Sequence, residues 1–111
     1  LHQDYYTGEN YALCLEQKSI LEKDERHKIH KQVEAEEIRK QIIDIILPTL
    51  EEEEPEELKW KYATLANCYF ALGDVEKELE YDQKFKEQNP EGWEIQTYLE
   101  NKQNSINYKN K

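Results

Sequence analysis

Apolar residues in this chain return at three- and four-residue steps and almost never alternate, the spacing of one buried face of an α-helix. The first such segment spans about Thr7 to Glu22, with Tyr11, Cys14, Leu15 and Leu21 near helical spacing. The second spans about Asp24 to Leu47. Its stripe is Ile29, Val33, Ile38, Ile42, Ile45 and Ile46, while Glu34, Glu36, Glu37, Arg39 and Lys40 cover the rest. Asp24 is suited to cap its start, and Pro48, lacking an amide donor, to stop it. The first half of this helix is sparsely apolar and is expected to project or fray unless something packs on it.

An acidic run, Glu51 to Glu54 followed by Pro55, Glu56 and Glu57, opens the third helix. Proline fits the first turn, and carboxylates favour the positive N-terminal end. Such a run can serve a Ca²⁺ ion or a basic partner, but a solvated helix start is the far commoner role. The third helix is expected to reach Leu72, where Gly73 can take the left-handed cap and Asp74 can start the next helix. The fourth, Val75 to Gln88, places Val75, Leu79 and Phe85 on one face, and Asn89-Pro90 breaks it. A fifth starts near Gly92, with Trp93, Ile95, Tyr98, Leu99 and Ile106 as its apolar positions. Residues 1–106 are thus expected to form a single helical domain with 91–106 as a capping helix, and 107–111 a polar, frayed tail.

Residues 59–90 carry the most specific pattern. Tyr62, Leu65, Ala66 and Tyr69 along the third helix, the turn Gly73-Asp74, Val75 after it and the closing Pro90 stand in the order and spacing of one tetratricopeptide repeat, which this segment resembles. Three positions depart from that repeat. Glu78 stands where it has a small residue, Asp82 where it has an aromatic, and Phe85 where it has Ala. Close packing at Glu78 and Asp82 is therefore not expected, and the fourth helix is expected to rotate or face solvent there. More widely, Tyr5 to Ala12, then Trp60 through Ala66 to Asp74, and Trp93-Glu94-Ile95 look like the TRAF-binding tetratricopeptide region of apoptosis-signal-regulating kinases and their bacterial relatives. The resemblance implies an all-α fold of antiparallel helix pairs, a right-handed α-solenoid fragment of about five helices. It also implies a regulatory scaffold within a larger signalling protein, and it carries over no TRAF-contacting residue.

Composition narrows the function classes. The 111 residues are 37% hydrophobic and 36% charged, with two Trp, eight Tyr and two Phe, too aromatic for a disordered chain. Three Gly and three Pro are too few for the turns of a small all-β fold. Methionine is absent, even at position 1, so a domain of a longer protein is expected. A formal net charge of -10 argues against nucleic acid or an anionic membrane as partner. No signal-peptide or transmembrane pattern occurs, so a cytoplasmic place is expected. Cys14 and Cys68 lie in apolar helical stretches and are expected to be two buried free thiols.

Catalytic chemistry finds little footing. No Gly-rich phosphate loop, nucleophile elbow or Cys-x-x-Cys pair is present, and Ser19 and Ser105 sit in no nucleophile context. His27 and His30, with Asp24 and Glu34 on nearby turns, could hold Zn²⁺ or one iron of a carboxylate-bridged site, but a di-iron bundle needs matching sets on other helices. No cofactor, metal or catalytic residue is therefore expected, and the chain reads as a non-catalytic scaffold for protein–protein interaction. In the tetratricopeptide resemblance, Trp60, Ala63, Asn67, Phe70 and Ala71 occupy the positions that line a concave groove. An acidic groove with aromatic anchors suits a basic or amphipathic helical segment. The alternatives are a structural or self-associating spacer of a longer helical array and, less favoured, a metal-binding helical protein. Within the groove reading itself, Trp60 and Phe70 could instead be core.

Overall fold

The described residues form five α-helices: α1 (His2–Leu21), α2 (Glu25–Ile46), α3 (Pro55–Leu72), α4 (Val75–Glu87) and α5 (Gly92–Lys109), with a 3₁₀ turn Leu47–Glu52 between α2 and α3. This structure, a computed structural model, describes residues 2–52 and 55–109, with side chains over 8–51 and 57–107. Glu53 and Glu54 of the acidic run, residues 110–111 of the polar tail, and the side chains of Tyr5, Tyr6 and Thr7 lie outside the described residues. Among the described residues there is no strand, and no helix is long and apolar enough to cross a membrane. The helical part of the expected tail runs on to Lys109.

The contact of α1 with α2 rests on small residues. Ala12 and Ala35 are fully buried and meet Leu15 in one apolar cluster, which Ile38 ties to the main core. At Gly8 the helices come closer still, since an added Cβ would lie 3.3 Å from Ile42 Cδ1. Further along, Glu16 meets Arg39, and Glu22 pairs with Lys31 at 2.9 Å. The first half of α2 is therefore tied to the end of α1 on one face only. Asp24 caps it, accepting from the Arg26 and His27 amides at 2.9 and 3.3 Å. The buried face of α2 is Ala35, Arg39, Ile42, Ile43 and Ile46, steps of three and four along one side. Ile29, Val33 and Ile45, expected on that stripe, are exposed. They lie a residue or two around the helix from the positions that α1 and α3 cover.

Past Pro48, the 3₁₀ turn is held through one residue: Thr49 Oγ1 donates to Ile46 O and accepts from Lys61 Nζ, each at 2.7 Å. The turn from α3 to α4 follows from two residues. Gly73 takes φ +86°, Gly73 N donates to Phe70 O, and Asp74 N reaches back to Tyr69 O at 2.9 Å. This pair of bonds is the Schellman closure, which satisfies carbonyls that the helix end leaves open. Asp74 then caps α4 by accepting from Lys77 N at 3.1 Å.

Asn89 ends α4 in the left-handed region, φ 53°, which asparagine tolerates better than most residues. At α5, Glu94 Oε1 accepts from Glu91 N at 2.8 Å, the returning half of a capping box. The other Glu94 oxygen pairs with Lys59 Nζ at 2.7 Å, fastening the start of α5 to α3. The main core joins Ile42, Ile43 and Ile46 of α2, Leu65, Ala66 and Cys68 of α3, Tyr81 and Phe85 of α4, and Tyr98 of α5. Tyr81 stacks on Tyr69 at 5.8 Å between ring centroids, and Phe85 meets Tyr98 at 4.6 Å.

Candidate functional site

The expected groove residues lie on the face of α3 that α5 covers. Ala63 and Asn67 retain 5% and 3% exposure, so no partner reaches them in this arrangement. Trp60, Phe70 and Ala71 are half-buried. Trp60 packs its ring 5.9 Å from that of Trp93, and Lys102 sets its ammonium 5.5 Å from the Phe70 ring. Ala63 and Asn67, expected on an open groove, are buried, and Trp60, Phe70 and Ala71 are half-buried. α5 folds back over the aromatic anchors, and α1 closes the remaining side. What is left is a cavity of about 20 Å³ among Glu9 of α1, Ala63, Thr64 and Asn67 of α3, and Thr97 and Asn101 of α5.

Behind that cavity stands a buried polar cluster. Arg39, 2% exposed, forks onto Glu16, 3% exposed, through Nε at 3.0 Å and Nη2 at 2.8 Å. Arg39 Nη1 and Asn67 Oδ1 are buried with no partner within the protein. Burial pushes the Glu9 carboxyl up from 4.5 to about 7, with Glu16 adding to the rise, while Arg39, Asn67 and Thr64 oppose it. Burial and Glu9 likewise raise the Cys68 thiol to about 12 against the pull of Arg39, so it stays protonated and unreactive. Periodicity alone placed Arg39 with the solvated charges. Its four-residue step from Ala35 and its three- and four-residue steps to Ile42 and Ile43 were the signal that it belonged inside.

α4 also departs from expectation. Its buried face is Glu78, Tyr81 and Phe85, whereas Val75 and Leu79 are 61% and 58% exposed. Glu78 does not face solvent, because Lys102 of α5 donates to it at 2.8 Å. Asp82 accepts from the Tyr98 hydroxyl at 2.6 Å and pairs with Lys86. Each residue that departs from the repeat pattern therefore meets α5: Glu78 and Asp82 through polar partners, Phe85 through the Tyr98 ring.

The other candidates are dispersed. His27 and His30 are exposed, Asp24 is engaged as a helix cap, and His30 lies 3.9 Å from Glu34. Among the described residues no group of three or more His, Cys, Asp or Glu side chains could hold a metal ion. Cys14 and Cys68 are both free, but only Cys68 is buried. Cys14 falls outside the inward sequence Ala12, Leu15, Glu16, Ser19 and points to solvent. On α5, Ile95 and Leu99 are exposed at 39% and 49%. Compared with family models, with curated proteins and with solved structures, the chain matches none.

Proposed function

We propose that this chain is a non-catalytic protein-binding scaffold of tetratricopeptide type, a cytoplasmic regulatory module of a larger signalling protein. Two features support the solenoid architecture. Contacts between α1 and α2 run from Gly8 with Ile42 through Glu16 with Arg39 to Glu22 with Lys31, a descending order that antiparallel helices give. The Schellman turn at Gly73 and the Tyr62 and Tyr69 rings against Tyr81 supply a helix–turn–helix unit of the repeat's kind.

The observation that carries the binding role is the apolar stripe left open beside the α4–α5 seam. The seam itself is closed by Glu78 with Lys102 and Asp82 with Tyr98. Val75 and Leu79 stand four apart on α4, Ile95 and Leu99 four apart on α5, and all four are exposed on the flanks of those closing pairs. Singly exposed apolar residues need no explanation, whereas paired stripes on adjoining helices offer a surface for a further helix. Glu76 and Glu100 border the stripe in a chain of net charge -10, so the occupant is a basic amphipathic helix.

The test is a titration with basic amphipathic helical peptides followed by amide chemical shifts. Expected shifts gather on residues 75–82 and 95–102, and Leu79→Ser with Leu99→Ser abolishes them while the helical signal persists. A chain that ignores the peptides and instead dimerises through the same stripe, by light scattering, favours the spacer reading.

A further inference from the structure

The buried cluster under α1 holds more acid than base. Glu9 and Glu16 enter it from α1, Arg39 from α2, and Cys68 with Asn67 and Thr64 from α3; Tyr98 lines the α5 side, its hydroxyl committed to Asp82. Two carboxyls therefore share one guanidinium. Arg39 already directs Nε and Nη2 at Glu16, and its Nη1 makes no bond to Glu9 that would hold that carboxylate ionised. Glu9 keeps the neutral hydrogen bonds of the Asn67 and Thr64 side chains, but with no cation bonded to it burial outweighs them and favours the neutral form.

Beside Glu9 the cavity of about 20 Å³ is large enough for one water molecule and is lined by the polar groups such a water needs. Asn67 is one of the lining residues, and its Oδ1 is buried and has no donor in the protein, an omission that native interiors rarely leave. We infer that this chamber is a site for one water and one proton: the water donates to Asn67 Oδ1 and accepts from the neutral Glu9 carboxyl, and the proton on Glu9 keeps α1 seated on α3 and α5. Removing that proton places beneath α1 a charge that only the Asn67 and Thr64 side chains bond, and loosens its N-terminal half.

The direction of the pH dependence follows. Glu9 is raised from 4.5 to about 7 in the folded chain, so the folded state holds the proton more tightly than the unfolded one. The stability that this proton supplies is complete below about 4.5 and is lost as pH rises through about 7. At tenfold per pKa unit, the folding constant drops on the order of a hundredfold between pH 5 and pH 8.

The experiment follows Glu side-chain carboxyl resonances of the ¹³C-labelled chain through pH, with denaturant melts of wild type and Glu9→Gln at each pH. One carboxyl is expected to titrate near pH 7, moving the amide signals of α1 and α3 with it. The Asn67 side-chain amide is expected to show a cross-peak to a long-lived water. Glu9→Gln, permanently neutral, should lose the hundredfold drop between pH 5 and pH 8. Absence of any carboxyl titrating between pH 6 and 8, absence of the water cross-peak, or an unchanged pH slope in Glu9→Gln overturns the inference. Should Glu9→Gln fail to fold, the wild-type carboxyl titration and the water cross-peak decide it.

Discussion

Removing one partner of the Arg39–Glu16 pair strands the other charge in an interior that leaves each side chain under 5% exposed. Arg39→Met is therefore expected to cost about 3–5 kcal/mol, read as a shift of the urea midpoint at constant slope. Joining it to Glu16→Leu should recover most of that loss, because a buried ion pair replaced by apolar side chains of similar size is often neutral. Glu78 is a milder case. Its carboxylate is buried, but Lys102 keeps partial contact with water and can reorient when left alone. Glu78→Ala gains a few tenths of a kcal/mol in helix propensity and loses the bond to Lys102, a net expected cost of about 1 kcal/mol. A melting temperature equal to or above wild type would show that Lys102 contributes nothing there. Arg39 and Glu78 both differ from the sequence expectation for one reason. A charged side chain on a periodic helix looks solvated until a partner from another helix is known, and those partners lie 23 and 24 residues away.

Turns and caps, by contrast, are written locally. Asp24, Pro48, Gly73, Asp74 and Pro90 mark the inner helix ends, whereas α1 starts at His2, ahead of the expected Thr7, and α5 runs on to Lys109. What the spacing left open is the rotation of each helix. Val75 and Leu79 share a face with each other but not with Phe85, and only the demands of α5 turn Glu78 and Asp82 inward. The same long-range step hides the groove residues: Ala63 and Asn67 look available on α3 taken alone, and become interior when α1 and α5 close over them. Two glycines separate the local from the long-range contribution. Gly73→Ala meets no atom within 4 Å, so its cost comes from φ +86° alone and should be about 1 kcal/mol. At Gly8 a methyl group would meet the flexible end of Ile42 at 3.3 Å while the helix gains about 1 kcal/mol of propensity. Those effects oppose each other, and thermal melts should find Gly8→Ala closer to wild type than Gly73→Ala.

Over the whole molecule, the helices depend on one another unevenly. α2 and α3 contribute most of the central core, α4 joins it through Tyr81 and Phe85, and α5 is held by the Lys59–Glu94 pair, Tyr98 and the Trp60–Trp93 contact. Lys59→Ala should therefore release the start of α5 first. Its loss unpairs Glu94, which burial drives toward its neutral form and which the Lys59 hydrogen bond and the Glu91 amide hold below its ordinary value. Faster amide exchange across 92–98, with α1 and α2 unchanged, is the expected result.

The meeting of Trp60 with Trp93 also decides what light can report about this protein. Its only two indoles sit on either side of one junction, 5.9 Å apart, and α1, α2 and α4 carry none. Intrinsic emission is consequently a gauge of α5 lifting from α3, whereas far-ultraviolet dichroism sums every helix at once. If the two signals trace the same melting curve, all five helices lose structure together. If emission changes at lower temperature than dichroism, α5 parts from a bundle that is otherwise still folded.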